Sequence, residues 1–166
     1  MTRSFTRRPV TRRLFMVGVA LPVLLSIAQA QDAPQSELPR QKLVIVTHDG
    51  KRHDFQVEVA LTPDQQTVGL MFRPSVPADG GMLFDWGAER PSQMWMKNTI
   101  ASLDMLFISA DGHVRSVAER TVPQSLAVID GRVPVRATLE LAAGTAEALD
   151  IRVGDLVEAA VFGNLK

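Results

Sequence analysis

Cysteine is absent from all 166 residues. A disulfide framework, an iron–sulfur cluster and a cysteine-ligated zinc site are therefore excluded, and burial alone must hold the fold. Missing too are the patterns of the common catalytic classes: G-x-S-x-G, H-E-x-x-H and a phosphate-cradling glycine loop. There is no internal repeat, no low-complexity tract and no basic run. The longest apolar stretch, "LFMVGVALPVLLSIA" at 14–28, is shorter than the roughly 20 residues of a membrane span, and Pro22 weakens it further. Nothing in the chain implies a cofactor or a metal.

What is present begins with arginine. Arg3, Arg7, Arg8, Arg12 and Arg13 precede that apolar stretch, and Ala28-Gln29-Ala30 follows it as a small-x-small cleavage pattern. Residues 1–30 are expected to be an export signal, cleaved near Ala30, which would place the protein in the periplasm or outside the cell. "TRRLFM" at 11–16 resembles a twin-arginine signal, the alternatives being an ordinary secretory signal or an uncleaved anchor. All 18 acidic residues but only 13 of the 18 basic ones lie beyond position 30, so the remaining chain carries −5. That balance makes a poor nucleic-acid binder, and no membrane span is expected after cleavage.

Residues 31–40, "QDAPQSELPR", are polar and proline-bearing and read as a flexible tether to a single domain over 41–166. "KLVIVTH" and "RHDFQVEVA" flank Asp49-Gly50 and predict a hairpin. Thr62-Pro63-Asp64-Gln65 carries an N-cap hydroxyl, a proline at the first helical position and a capping-box glutamine; it predicts a helix to about Phe72. "GMLFDW", 93–98, 103–109, 113–122, "VRATLEL" and "LVEAAVF" read as strands, with 85–92 a loop and "AGTAEALD" a short helix capped by Thr145. About eight strands and two short helices predict a mainly β fold, a sandwich or barrel; helices are too few for a wound parallel sheet.

With "GLMFR" (69–73), "GGMLFDW" (80–86), "MWMKNT" (94–99), "LDMLFIS" (103–109) and "LELAAGTAEALDIRVGDLV" (139–157) in order, the chain resembles the bacterial and archaeal domain-of-unknown-function family 192. The resemblance spans about residues 42–162 and implies a compact, jelly-roll-like β-sandwich. It implies no reaction, because that family's activity is not established. One departure is visible: the family more usually carries an aromatic residue near Arg136 and Ala137.

Chemistry concentrates in "QMWMKNTIASLD", 93–104. An antiparallel hairpin of 93–98 against 103–109, with Asn98 opposite Leu103, would set Met94, Met96, Met105 and Phe107 on one face. Trp95, Lys97, Asp104, Leu106 and Ile108 would share the other. The first face is core; Met94-x-Met96 also has a spacing that suits Cu(I), although gap-filling is what methionine does in cores. On the second, a cross-strand Lys97–Asp104 pair with Trp95 packed under a loop is the structural reading. The functional reading makes that face a shallow pocket for a polar small molecule or glycan-like group: Trp95 stacks, Lys97 and Asp104 orient, and Arg73 and Asn98 close it. Two alternatives stay open. One is a hydrolase using Asp104 with a second carboxylate, the acids at hand being Asp85, Glu119 and Glu140. The other is an envelope interaction module with Trp95 as anchor. His48 and His53 flank the first turn, where an exposed pair is seldom a metal site.

Overall fold

Gly50 takes φ +81°, Thr47 O accepts from Gly50 N at 2.8 Å, and Asp49 Oδ1 accepts from the Thr47 hydroxyl at 2.6 Å. This is the expected turn, and it joins β1 (Arg40–Val46) to β2 (Arg52–Ala60) with Leu43 opposite Phe55. The computed structural model describes Met1 and residues 33–165, the latter forming part of the compact unit Gln31–Lys166. The expected export signal lies, Met1 apart, outside the described residues. Residues 33–39, read as tether, have no regular secondary structure but are fastened to the domain. Gln35 Nε2 donates to the carbonyls of Gln65 (3.1 Å) and Gly69 (2.9 Å), and Leu38 N donates to Glu58 Oε2 at 2.7 Å.

β2 runs parallel to β3 (Met82–Arg90), and parallel neighbours need a crossover between them. That crossover is residues 61–81. It opens on the expected capping box, Gln65 N donating to Thr62 Oγ1 (3.3 Å) and Thr62 N to Gln65 Oε1 (3.1 Å), which starts α1 (Pro63–Val68). The helix ends at Gly69, before the expected Phe72, because the chain there takes φ +50° and lies against the Phe84 ring, 2.9 Å from where a Cβ would sit.

β4 (Gln93–Met94) and β7 (Ile129–Asp130) form a small separate ribbon. With β5 (Leu103–Ile108), β6 (Val114–Ala118), β8 (Val135–Ala142) and β9 (Leu156–Ala159), the main sheet has the order β6-β5-β8-β3-β2-β1-β9. Its two edges meet at one end, where His113 bridges Leu156 and Val114 N donates to Asp155 O at 2.9 Å. The result is a curled half-barrel, mainly β as expected, with two short helices.

Alternation along the strands divides the core in two. One cluster, with Leu43, Ile45, Val57, Leu106 and Leu139, draws on strands all round the curl and is closed by Ala146 and Ile151 at α2 (Thr145–Leu149). The other, with Met82, Phe84, Met96, Met105 and Phe107, lies on the outer face of β2, β3, β8 and β5 beneath the crossover.

Three expectations need correction. The hairpin of 93–98 against 103–109 does not form: β5 sits between β6 and β8, with Met105 opposite both Ala118 and Glu140. Every residue of β5 is buried, so it needs neighbours and cover on both faces, which a central strand has and an edge hairpin lacks. Met96 and Met105 are nonetheless both fully buried. Second, α2 has Gly144 at φ +87° as its N-cap, with Thr145 its first residue; the side-chain acceptor is Asp104, whose Oδ2 takes the Ala146 N–H at 2.8 Å. Third, β3 continues through a bulge to Arg90, where a loop was expected over 85–92. Among the described residues no helix is long and apolar enough to cross a membrane.

Candidate functional site

The crossover leaves two concavities on the outer face, one on either side of Leu70. The first, a cleft of about 330 Å³, is organised by an ion pair. Arg73 forks onto both oxygens of Glu58, with Nη2 to Oε2 at 2.9 Å, and Leu38 N adds a third bond. Burial pushes the Glu58 carboxyl up, but Arg73 and the Leu38 amide outweigh it and hold it below the usual glutamate range. Both oxygens are satisfied by groups from the crossover and the N-terminal segment, so the pair acts as a clamp.

The second concavity, about 440 Å³, is built from aromatic and thioether side chains. Phe84 and Trp86 sit two apart on β3 and so share a face, their rings stacked at 5.7 Å and 28°. Trp86 Nε1 is anchored on Thr138 Oγ1 at 3.2 Å, and the Arg90 guanidinium lies 4.3 Å from the Trp86 ring centre. Met71, Met94 and Trp95 also line the pocket. Trp95 is 46% exposed, with Lys97 Nζ 5.1 Å from its ring centre.

Glu140 lines this pocket as well. It lies in the middle of β8, in register with Met82 on one side and Met105 on the other, and is 4% exposed. Among the described residues no group hydrogen-bonds or ion-pairs with it. Burial pushes its carboxyl up to about 8, which favours the neutral acid at neutral pH. A desolvated, unpartnered acid in an aromatic concavity is the arrangement that marks functional sites more often than structural ones.

The residues singled out from sequence are dispersed among several places. Trp95 lines the aromatic pocket; Lys97 and Asn98 are exposed beside it. Asn98 takes φ +55°, and its carbonyl accepts from Phe72 N at 2.8 Å, Phe72 itself being at φ +63°. Arg73 belongs to the neighbouring clamp. Asp104 is fully buried on the opposite face of the sheet, its oxygens accepting from the backbone amides of Arg120 and Ala146, each at 2.8 Å. The weighed carboxylates do not converge either. Asp85 pairs with Arg136, Glu119 is exposed, and Asp104 and Glu140 are on different faces. Where the family more usually has an aromatic, Arg136 serves that ion pair.

Trp86 and Arg90 were not identified from sequence, although Phe84-x-Trp86 has the spacing of one strand face. Glu140 gave a clearer signal: an acid alternating with Thr138 inside the apolar "TLEL" of a strand that would be covered on both sides.

A search of curated proteins finds no match to this sequence. Among the solved structures that share the fold are two bacterial proteins. A protein from Sinorhizobium meliloti 1021, described as a candidate transcription regulator, is 46% identical, with a TM-score of 0.74, over 76% of this chain and 98% of that one. A protein of unknown function from Novosphingobium aromaticivorans DSM 12444 is 34% identical, with a TM-score of 0.71, over 79% of this chain and 94% of that one. Residues 44–159 match the family DUF192, described as "Uncharacterized ACR", and with most of the domain covered by that match the chain belongs to this family.

Proposed function

We propose that the protein is an exported domain that binds a polar small molecule or glycan-like group in the aromatic pocket, without chemistry of its own. One observation carries the reading: a concavity of about 440 Å³ with two tryptophans in its lining is also lined by Glu140, 4% exposed and without a hydrogen-bond or ion-pair partner among the described residues. Indole rings offer flat apolar surface for a ring or alkyl body, and a few convergent polar groups fix orientation. Glu140 within and Arg90 over Trp86 are the charged groups of that lining. Hydrolysis by paired carboxylates has less support. Asp104 is fully buried with its oxygens engaged, while Glu58, on the same face as Glu140, is closed by Arg73 and stands two strands away, on the order of 10 Å.

A regulatory role on nucleic acid, as in the description of the Sinorhizobium protein, has little support here. Residues 31–166 have 13 basic side chains against 18 acidic ones, the wrong balance for a phosphate backbone. A thermal-shift screen of polar metabolites and glycan fragments, with each hit repeated on Trp95→Ala, tests the pocket. A ligand of this site should bind the variant about tenfold more weakly through lost stacking. Hits that bind it as tightly as the parent would place the site elsewhere.

A further inference from the structure

We infer that the aromatic pocket takes a ligand carrying an ammonium group, with Glu140 as its counter-ion. The inference rests on the pocket being a ligand site and names what that ligand must bring. An ionised Glu140 offers only acceptors, about four lone-pair directions, and among the described residues no donor reaches any of them. A neutral ligand would leave that charge uncompensated in a site removed from water, and an anion would be repelled by it. A cation compensates it where low local dielectric makes the attraction strongest.

The rings point the same way. Trp86 and Trp95 each already draw a cation of the protein's own, the Arg90 guanidinium at 4.3 Å and Lys97 Nζ at 5.1 Å, both inside the range at which an indole face attracts positive charge. A pocket in which indole faces stand beside a buried carboxylate is a cation site by chemistry.

The other charges around Glu140 do not take this role. Arg90 of β3 lines the pocket but is seated over the Trp86 ring and makes no ion pair with Glu140. Glu58 of β2 and Arg73 of the crossover are paired with each other in the next cleft. Asp104 of β5 faces the other side of the sheet, and Lys97, in the loop after β4, is exposed over Trp95. Neutral Gln66 is held by the carbonyls of Ala60 and Asp85.

Binding then has a definite proton balance. The Glu140 O–H gives its proton to solvent, and the carboxylate left behind pairs with the ammonium. Below about pH 8 each binding event releases up to one proton, so affinity rises with pH by up to about tenfold per unit and levels off above that value. A ligand taking a hydrogen bond from the neutral acid would show the opposite slope.

Choline and its uncharged isostere, in which a tert-butyl group replaces the trimethylammonium, differ in charge but hardly in shape, and choline's charge does not titrate. Calorimetry or ligand-observed NMR with the full protein, between about pH 5.5 and 8.5, should find choline roughly tenfold to a hundredfold tighter than the isostere near pH 8. Its affinity should climb with pH, and Glu140→Gln should abolish both the preference and the climb. Equal binding of the two probes, weakened for both by Trp95→Ala, would leave the pocket standing and overturn the ammonium assignment. So would an affinity that falls with rising pH. Failure of both probes beside Trp95-dependent neutral hits in the screen also overturns the assignment alone, whereas absence of any Trp95-dependent ligand removes the pocket reading with it.

Discussion

Asp104 and Glu140 show how little residue type alone decides. Both are acids on central, fully covered strands, yet Asp104 has two amide donors and Glu140, among the described residues, has none. As an exposed partner of Lys97, Asp104 could be changed to Asn for at most about 1 kcal/mol. As the buried acceptor that holds the Arg120 turn and caps α2, it cannot, because the amide nitrogen of Asn would face a backbone donor. Asp104→Asn should cost about 2–3 kcal/mol in urea unfolding, with the m-value unchanged. A loss below 1 kcal/mol would mean those bonds are not made. Met96→Ala and Met105→Ala should each cost about 2–5 kcal/mol, since both side chains are fully buried in the outer cluster.

At the scale of elements, the crossover between β2 and β3 makes both concavities, and local fastenings hold it down. Arg73→Ala would strand Glu58, 3% exposed, without its guanidinium; about 3–5 kcal/mol should be lost in equilibrium unfolding, much more than an exposed ion pair contributes. Gly81 closes the crossover, where a Cβ would stand 2.3 Å from the Glu140 carbonyl oxygen. Gly81→Ala must therefore push the crossover away from β8, and should weaken binding in the aromatic pocket as well as stability. The capping box, the Asp49-Gly50 turn and most strands were legible because their signals are local: a hydroxyl three residues before a glutamine, or a φ only glycine takes cheaply. The partner of β5 was not legible. "MWMKNT" and "LDMLFIS" are neighbours in sequence and both apolar, which suggests a hairpin. The pairing is instead decided by β8, a long way down the chain, which hydrogen-bonds along the edge of β5 and extends both of its buried faces. Misplacing that one strand moved Asp104 from the core to an imagined pocket, while Trp95 reached a real concavity for a different reason. The cost of Glu140 was legible as an oddity; its surroundings required the crossover in place.

For the whole molecule, the reading as an exported binder makes a separable claim about residues 1–30. The mature chain should begin at Gln31, as mass spectrometry of the envelope fraction would establish, and Arg12→Lys with Arg13→Lys should block translocation if the signal is of the twin-arginine kind. Unimpaired export of the double variant would leave a general secretory signal. The central claim concerns the folded domain: it keeps a carboxyl group that has no partner among the described residues buried in its pocket at the expense of its own stability. The carboxyl is raised from 4.5 to about 8 on folding, so the folded state holds the proton more tightly than the unfolded chain across that interval. Stability from this group is complete below about pH 4.5 and drains away as pH rises through the folded value, a loss of up to a few kcal/mol. Glu140→Gln removes the ionisation and keeps the shape. The deciding measurement is the thermal midpoint of the protein and of Glu140→Gln, without ligand, at steps from about pH 4.5 to 8.5. The account predicts that the variant's advantage opens steadily across this range, to on the order of 5–10 °C at the alkaline end. Two curves that run parallel, or a variant that becomes the less stable of the two as pH rises, would contradict it.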